Sequence, residues 1–147
     1  MDTATIRAAI ATDPALQALL SGPQPSQAIA DALSVGRVRL KSVTVGRGTA
    51  LDVLDLEVGN AFLGALAAIP QMRHVCHLLD NAHLNLGRPR VVEMLRGMVG
   101  MQLAPGLTFT AAHAEALIAV AQEPDPVDEF DVRRAIYLDD GSLWSPT

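Results

Sequence analysis

Aromatic residues and cysteine are scarce in this 147-residue sequence. Only 3 % of its residues are aromatic and Cys76 is its single cysteine, although half of its residues are apolar. One cysteine excludes an intramolecular disulfide and a cysteine-based zinc cluster within one chain. Because alanine, leucine and valine supply most of the apolar mass, we expect a core of small aliphatic side chains and closely approaching helices.

The sequence also lacks a long apolar run. The longest candidate, residues 61–69, is far shorter than the roughly 20 residues that a membrane-spanning helix needs. No basic segment precedes an apolar stretch near the first residues, so no secretory signal peptide is apparent. We therefore expect a soluble protein made in the cytoplasm, without a membrane partner.

Charged residues are few and unevenly distributed. They make up 18 % of the sequence, which has a net charge of −5, and the carboxylates concentrate between residues 115 and 140. A basic stretch lies nearer the start of the chain and contains Arg37, Arg39, Lys41 and Arg47. This pattern is compatible with head-to-tail association and also with an ordinary solvated surface.

Apolar residues recur at helical spacing along most of the chain. They predict an all-α protein, a bundle of six to eight short helices. Strict alternation from Arg37 to Lys41 adds a possible small extended element near residues 38–45. Without an internal repeat or a low-complexity linker, we expect one helical domain over residues 1–147, with a short C-terminal tail over about 139–147.

Local signals place the ends of several helices. Asp13 before Pro14 predicts a helix start, and the hydroxyl groups of Ser26, Thr49 and Thr110 are suited to cap three more helices. A further helix is predicted over residues 71–84, with Gly87 as its C-cap.

The last predicted helix follows Asp128, which is suited to cap it. The residues expected on the buried side of this helix are Phe130, Ala135, Ile136 and Leu138. The segment from Gly59 to Asn60 is expected to interrupt an earlier helix.

Four potential metal ligands follow one another at intervals of three on a predicted helix: His74, His77, Asp80 and His83. Each interval of three falls about 60° short of a full turn, so the four side chains do not converge on one ion. The His-Glu-x-x-His pattern is also missing. We expect no metal and no cofactor, and a partly exposed helix edge with His77 and Asp80 in hydrogen-bond reach.

No nucleophile stands in a recognisable catalytic pattern. Cys76 and His77 are adjacent, so on a helix they point about 100° apart, and a small buried hydrophobe is the better interpretation of the cysteine. The serines lie in no Gly-x-Ser-x-Gly elbow. The glycines at residues 46–48 lack the Gly-Lys-Ser/Thr ending of a phosphate-binding loop. We therefore expect no enzymatic activity and no catalytic residue.

Two predicted helices over residues 111–138 have the outline of a helix-turn-helix motif. The end that would approach DNA carries Asp128, Glu129 and Asp131, which repel phosphate. The basic stretch is the better candidate for nucleic-acid binding, although no aromatic residue interleaves it. A nucleic-acid partner is therefore the less favoured alternative.

Two stretches of sequence carry a family resemblance, ATDPALQALL at residues 11–20 and EPDPVDEFDVRRAIYLDDG at residues 123–141. Together they cover about a fifth of the chain. They resemble segments of small Ala/Leu-rich helical proteins encoded by tailed bacteriophages. The resemblance implies a virion structural protein, associated with the tail or capsid, that is made in the host cytoplasm and then joins the virion.

From these features we expect a non-catalytic structural or assembly component that acts through protein–protein contacts. Its partners would be other virion proteins or copies of itself. The predicted contact residues are Arg37, Arg39, Lys41, Arg47 and Trp144. Trp144 lies in the tail, where it would either cover a core edge or anchor in a partner's pocket. The alternative is a small regulatory protein that binds nucleic acid through residues 37–47.

Overall fold

The structure is a computed structural model that describes residues 1–146, and the chain divides into two compact units. Unit 1 contains residues 1–39 and the segment from residue 124 onward, whereas unit 2 contains residues 40–123. Unit 2 is thus an insertion, in sequence, within unit 1. No helix in residues 1–146 has both the length and the apolar character needed to cross a membrane.

The expectation of an all-α fold is wrong. Within the described residues, 58 % of the chain is helical, in nine helices, and about 12 % forms three small antiparallel sheets. The strands are β1 Val38–Leu40, β2 Thr44–Val45, β3 Leu84–Asn85, β4 Gln102–Ala104, β5 Leu107–Thr108 and β6 Gln122–Pro124. They pair as β1 with β6, β2 with β3, and β4 with β5. Strands β1 and β2 lie in the extended element predicted near residues 38–45. The other four strands escape periodicity analysis because two or three residues do not complete a recognisable alternation.

Unit 1 is built from helices at both ends of the chain. These helices are α1 Thr3–Thr12, α2 Pro14–Leu19, α3 Pro25–Ser34 and α9 Glu129–Ile136. Helix α9 packs against α1 and α3. Their shared core contains fully buried isoleucines, among them Ile6, Ile10, Ile29 and Ile136.

Two of the three helix caps predicted in unit 1 are confirmed. The carboxylates of Asp13 and Asp128 cap α2 and α9 as predicted. The predicted cap at Ser26 is wrong, because α3 begins at Pro25, one residue earlier. The Ser26 hydroxyl instead donates a hydrogen bond of 2.8 Å to the Glu129 carboxylate.

Unit 2 contains the other five helices of the described chain. They are α4 Arg47–Leu54, α5 Leu56–Ala68, α6 Arg73–Asp80, α7 Pro89–Gly97 and α8 Ala111–Ala119, with a 3₁₀ turn at Pro70–Met72 before α6. Its core includes Phe62 and Phe109, whose stacked rings have centroids 5.1 Å apart. Thr110 caps α8 as predicted, and His113 completes the cap by accepting a hydrogen bond from the Thr110 backbone N–H.

Several predicted boundaries in unit 2 are wrong because tertiary packing outweighs local signals. Helix α4 begins at Arg47, before the predicted cap at Thr49. Helix α5 continues through Gly59, where a Cβ would lie 2.9 Å from the Cα of Leu51 in α4. Gly59 therefore permits close packing of two helices, and does not end one.

The helix predicted over residues 71–84 ends at Asp80, and the chain then turns at Ala82 into β3. Gly87 is therefore not its C-cap. A Cβ at Gly87 would lie 2.0 Å from the backbone oxygen of Lys41. Only a residue without a side chain fits between these two segments of backbone.

We expect Gly87→Ala to destabilise the protein by about 3 kcal/mol, the upper end of the usual cost of overpacking, because the neighbouring atom is backbone. Gly64→Ala is the matched control. It lies within α5, where an added Cβ meets nothing within 4 Å, and should stabilise the protein by about 0.5–1 kcal/mol. Urea unfolding followed by circular dichroism measures both. Equal stability of Gly87→Ala and the wild type would contradict the close approach at Lys41.

Candidate contact surfaces

Arg37 and Arg47 of the basic stretch form intramolecular ion pairs. The Arg37 guanidinium lies 2.5 Å from the Asp125 carboxylate, and its Nε donates to the Asp125 backbone oxygen at 3.2 Å. Arg47, the first residue of α4, forms an ion pair with Asp80. A partner that used either arginine would therefore compete with a carboxylate already in place.

The residues of the basic stretch are divided between the two units. Arg37 and Arg39 belong to unit 1, whereas Lys41 and Arg47 belong to unit 2. Lys41 is exposed, and its backbone N–H donates to the Ala121 oxygen at 2.8 Å. A contact role for these residues stays a prediction.

Trp144 packs against the core of its own unit. Its ring is half-buried beside the apolar cluster of unit 1. The Arg7 guanidinium carbon lies 5.5 Å from the ring centroid, and the Trp144 backbone N–H donates to the Ile136 oxygen at 2.7 Å. The tail therefore folds back over a core edge, which is the first of the two roles that the sequence left open. A partner contact through the rest of the ring stays a prediction.

The histidines do not share one helix as the sequence predicted. His74 and His77 lie on α6, whereas His83 follows the turn at Ala82. The Asp80 carboxylate is engaged by Arg47. Among residues 1–146, no group of three or more His, Cys, Asp or Glu side chains is arranged to hold a metal ion.

Cys76 is half-buried and packs against the apolar cluster of unit 2. Its neighbours there are apolar side chains, which agrees with its interpretation as a small hydrophobe.

Sequence reasoning missed an exposed apolar segment in unit 1, which we call the C-terminal apolar segment. It comprises Phe130, Leu138 and Leu143, whose side chains are 63 %, 41 % and 46 % exposed. The guanidinium carbon of Arg134 lies 6.0 Å from the centroid of the Phe130 ring. The predictions that Phe130 and Leu138 are buried are wrong. Helix α9 directs Val132, Ala135 and Ile136 inward, and Leu138 lies beyond the last residue of the helix. Helical spacing from those three residues places Phe130 on another face.

No family model, curated protein or solved structure matches this chain. The role of each surface therefore has to be inferred from the chemistry of its own residues.

One ion pair elsewhere in unit 2 shifts the pKa of both of its side chains. The guanidinium of Arg96 on α7 lies 2.9 Å from the carboxylate of Glu115 on α8. Its hydrogen bond lowers the pKa of Glu115 below the ordinary 4.5 and raises that of Arg96. The pair's contribution to stability is present above the unfolded-state pKa of Glu115 and is lost as the pH falls through the folded-state pKa. Both side chains are exposed, so the contribution is small.

We expect Arg7→Leu to destabilise unit 1 by about 1–2 kcal/mol. The substitution removes the cation–π contact with Trp144 and a 2.8 Å hydrogen bond from the Arg7 Nε to the Ala135 oxygen. Trp144 is the only tryptophan, so urea unfolding followed by its fluorescence measures the change directly. Its native emission should also shift to longer wavelength as the ring becomes more exposed.

Arg73→Leu serves as the control for Arg7→Leu, since Arg73 is an exposed arginine of unit 2. Its unfolding midpoint should stay within about 0.5 kcal/mol of the wild type. Unchanged emission and stability in Arg7→Leu would mean that Arg7 does not hold the tryptophan in place.

Proposed function

We propose that this chain is a non-catalytic structural or assembly component of a tailed-phage particle, a head or tail accessory protein that acts through protein–protein contacts. The observation that carries this proposal is the C-terminal apolar segment, and above all Phe130. Phe130 and Leu138 lie within residues 123–141, one of the two stretches that resemble phage proteins. Leu143 follows two residues later.

The composition of this segment is typical of a contact surface. Aromatic residues and arginine are enriched in protein interfaces, and aromatic side chains often supply the largest share of the binding energy. Phe130 is accompanied on α9 by the exposed Arg133 and Arg134. A partner that covers the phenylalanine ring would gain from its burial, and acceptor groups at the rim would pair with the two arginines.

The rigid placement of Phe130 favours the same role. Helix α9 is fixed in unit 1 by its buried residues and by polar contacts at its first turn. Glu129 accepts a hydrogen bond from Ser26, and Asp131 forms a 2.9 Å ion pair with the amino group of Met1. The ring is thus presented on an ordered helix, which reduces the entropy lost when a partner binds.

The basic stretch makes a weaker contact surface. Arg37 and Arg47 would have to exchange their own carboxylates for those of a partner. The same exchange would be needed to bind nucleic acid through residues 37–47, so the assembly role is the better supported of the two.

Phe130→Asp should lower incorporation of the chain into phage particles by at least about tenfold, because it places a charge in the proposed contact. Particles would be purified on density gradients from cells that carry the gene, and the chain would be quantified by mass spectrometry. Leu56→Asp is the matched control. Leu56 is 70 % exposed in unit 2 and is the first residue of α5, where an acid is tolerated.

We expect the wild type and Leu56→Asp to band with the particles at a constant ratio to the major capsid protein. A chain found only outside the particles would overturn the proposal. Light scattering after size-exclusion chromatography then identifies the partner. An oligomer that Phe130→Asp dissociates would be formed by copies of the chain, whereas a 15.5 kDa monomer would direct the contact to another virion protein.

A further inference from the structure

Basic and imidazole side chains gather around α6 and the start of α7 in unit 2. Arg73, His74 and His77 line one depression at the surface. His74 also lines a second depression, together with His83 and Arg88. His74 therefore borders both depressions, and the residues that line them make up one surface region rich in arginine and histidine. We call it the His/Arg surface.

The backbone turn after α6 places His83 in this surface. The Ala82 and His83 N–H groups donate to the backbone oxygens of Leu79 and Leu78, at 3.2 Å and 2.8 Å. These two hydrogen bonds and the positive φ of 55° at Ala82 define a Schellman turn. The turn directs the chain into β3, so that His83 and Arg88 line the same depression.

Carboxylates are missing from this surface. Neither depression has an Asp or Glu among its lining residues in the described chain, and the nearby Asp80 is engaged by Arg47. Within residues 1–146, the side chains of Arg73, Arg88 and the three histidines make no hydrogen bond or ion pair. The arginines at positions 37, 47 and 96, in contrast, each have a carboxylate partner.

The positions of these cations work against helix stability. Arg73 is the first residue of α6, and Arg88 and Arg90 flank Pro89 at the start of α7. Neither helix has an acidic residue in its first turn. Because the amino-terminal end of a helix is already positive, cations there are unfavourable and anions are favourable. Local departures from such preferences are expected where a surface has a function.

We propose that the His/Arg surface binds phosphate groups. The planar guanidinium of arginine matches the oxygens of a phosphate group and can donate two parallel hydrogen bonds to them. Two adjoining depressions that share His74 suit a ligand with two linked phosphates. Inorganic pyrophosphate and the backbone of a nucleic-acid strand both have this chemistry. The inference does not depend on the proposed assembly role, because it concerns another unit and other residues.

Asn85 contributes little to this recognition. The Asn85 side chain lines the second depression, but it already bonds to Val43, Gly87 and Ser42. Arg88 and the imidazoles of His74 and His83 are therefore the residues to test.

The experiment is an NMR titration of the isotope-labelled full chain with inorganic pyrophosphate, at constant ionic strength maintained with sodium chloride. We expect saturable shifts at His74, His83 and Arg88. Arg88→Gln and His83→Asn should each weaken binding by about tenfold. Arg96→Gln is the matched control. Arg96 is also an exposed arginine and lies on α7, the helix that Arg88 precedes, but its guanidinium is already paired with Glu115. Its affinity should equal that of the wild type.

A second titration with a ten-nucleotide oligothymidylate identifies the source of the phosphate. Shifts at the same residues, with displacement of pyrophosphate, would assign the site to nucleic acid, whereas a response to pyrophosphate alone would assign it to a small anion. Three results would overturn the proposal. These are no saturable shift with either ligand, unchanged affinity in Arg88→Gln, or an equal loss in Arg96→Gln, since the last would reflect net charge alone. The substituted residues are exposed, and circular dichroism verifies that each variant is folded.

Discussion

The core of unit 1 forms only when helices from the first and the last parts of the chain pack together. Its amino-terminal helices have six to ten residues, and helices of this length are unstable on their own in water. Helix α9 supplies Val132, Ala135 and Ile136 to the same core as Ile6 and Ile29. Full burial of each large aliphatic side chain contributes about 1.5–3 kcal/mol. The first helices of the chain therefore depend on a segment that follows them by about a hundred residues.

The insertion of unit 2 makes this closure less costly than its length suggests. Within unit 2, Lys41 and Ala121 are joined by a backbone hydrogen bond of 2.8 Å, so the folded unit holds its own ends together. Within unit 1, the Asp125 N–H donates to the Arg37 oxygen at 3.1 Å, next to the ion pair of their side chains. Because the ends of the insertion are already close, unit 1 does not bear the entropy of closing a long flexible loop. Arg37 thus has a structural role at the junction of the inserted sequence.

This dependence on distant segments explains which parts of the fold the sequence predicted. In each of the caps at Asp13, Thr110 and Asp128, the side chain bonds to a residue no more than three positions away, so local patterns were sufficient to predict it. The pairing of the strands and the carboxylate partner of Arg37 were not accessible in this way. Asp125 lies 88 positions from Arg37, and β2 pairs with β3 across about forty residues. A sequence shows the basic stretch as a row of charges, but not the acids that neutralise them.

Two sets of arginines consequently have different effects on the surface. Those paired with carboxylates, such as Arg37 and Arg96, connect elements of the fold and have little capacity left for a ligand. Arg73 and Arg88 lie at the positive ends of their helices, where each unfavourable charge costs about 0.3–1 kcal/mol. A bound anion would be attracted both by the positive helix ends and by the positive side chains, so it would reduce the repulsion between them. The contact surface proposed for unit 1 would work by a different effect, the exposure of an aromatic ring on a fixed helix. Binding at the His/Arg surface should therefore weaken steeply as the salt concentration rises. Contact through the phenylalanine ring should weaken much less, because screening acts on charges and leaves apolar burial intact.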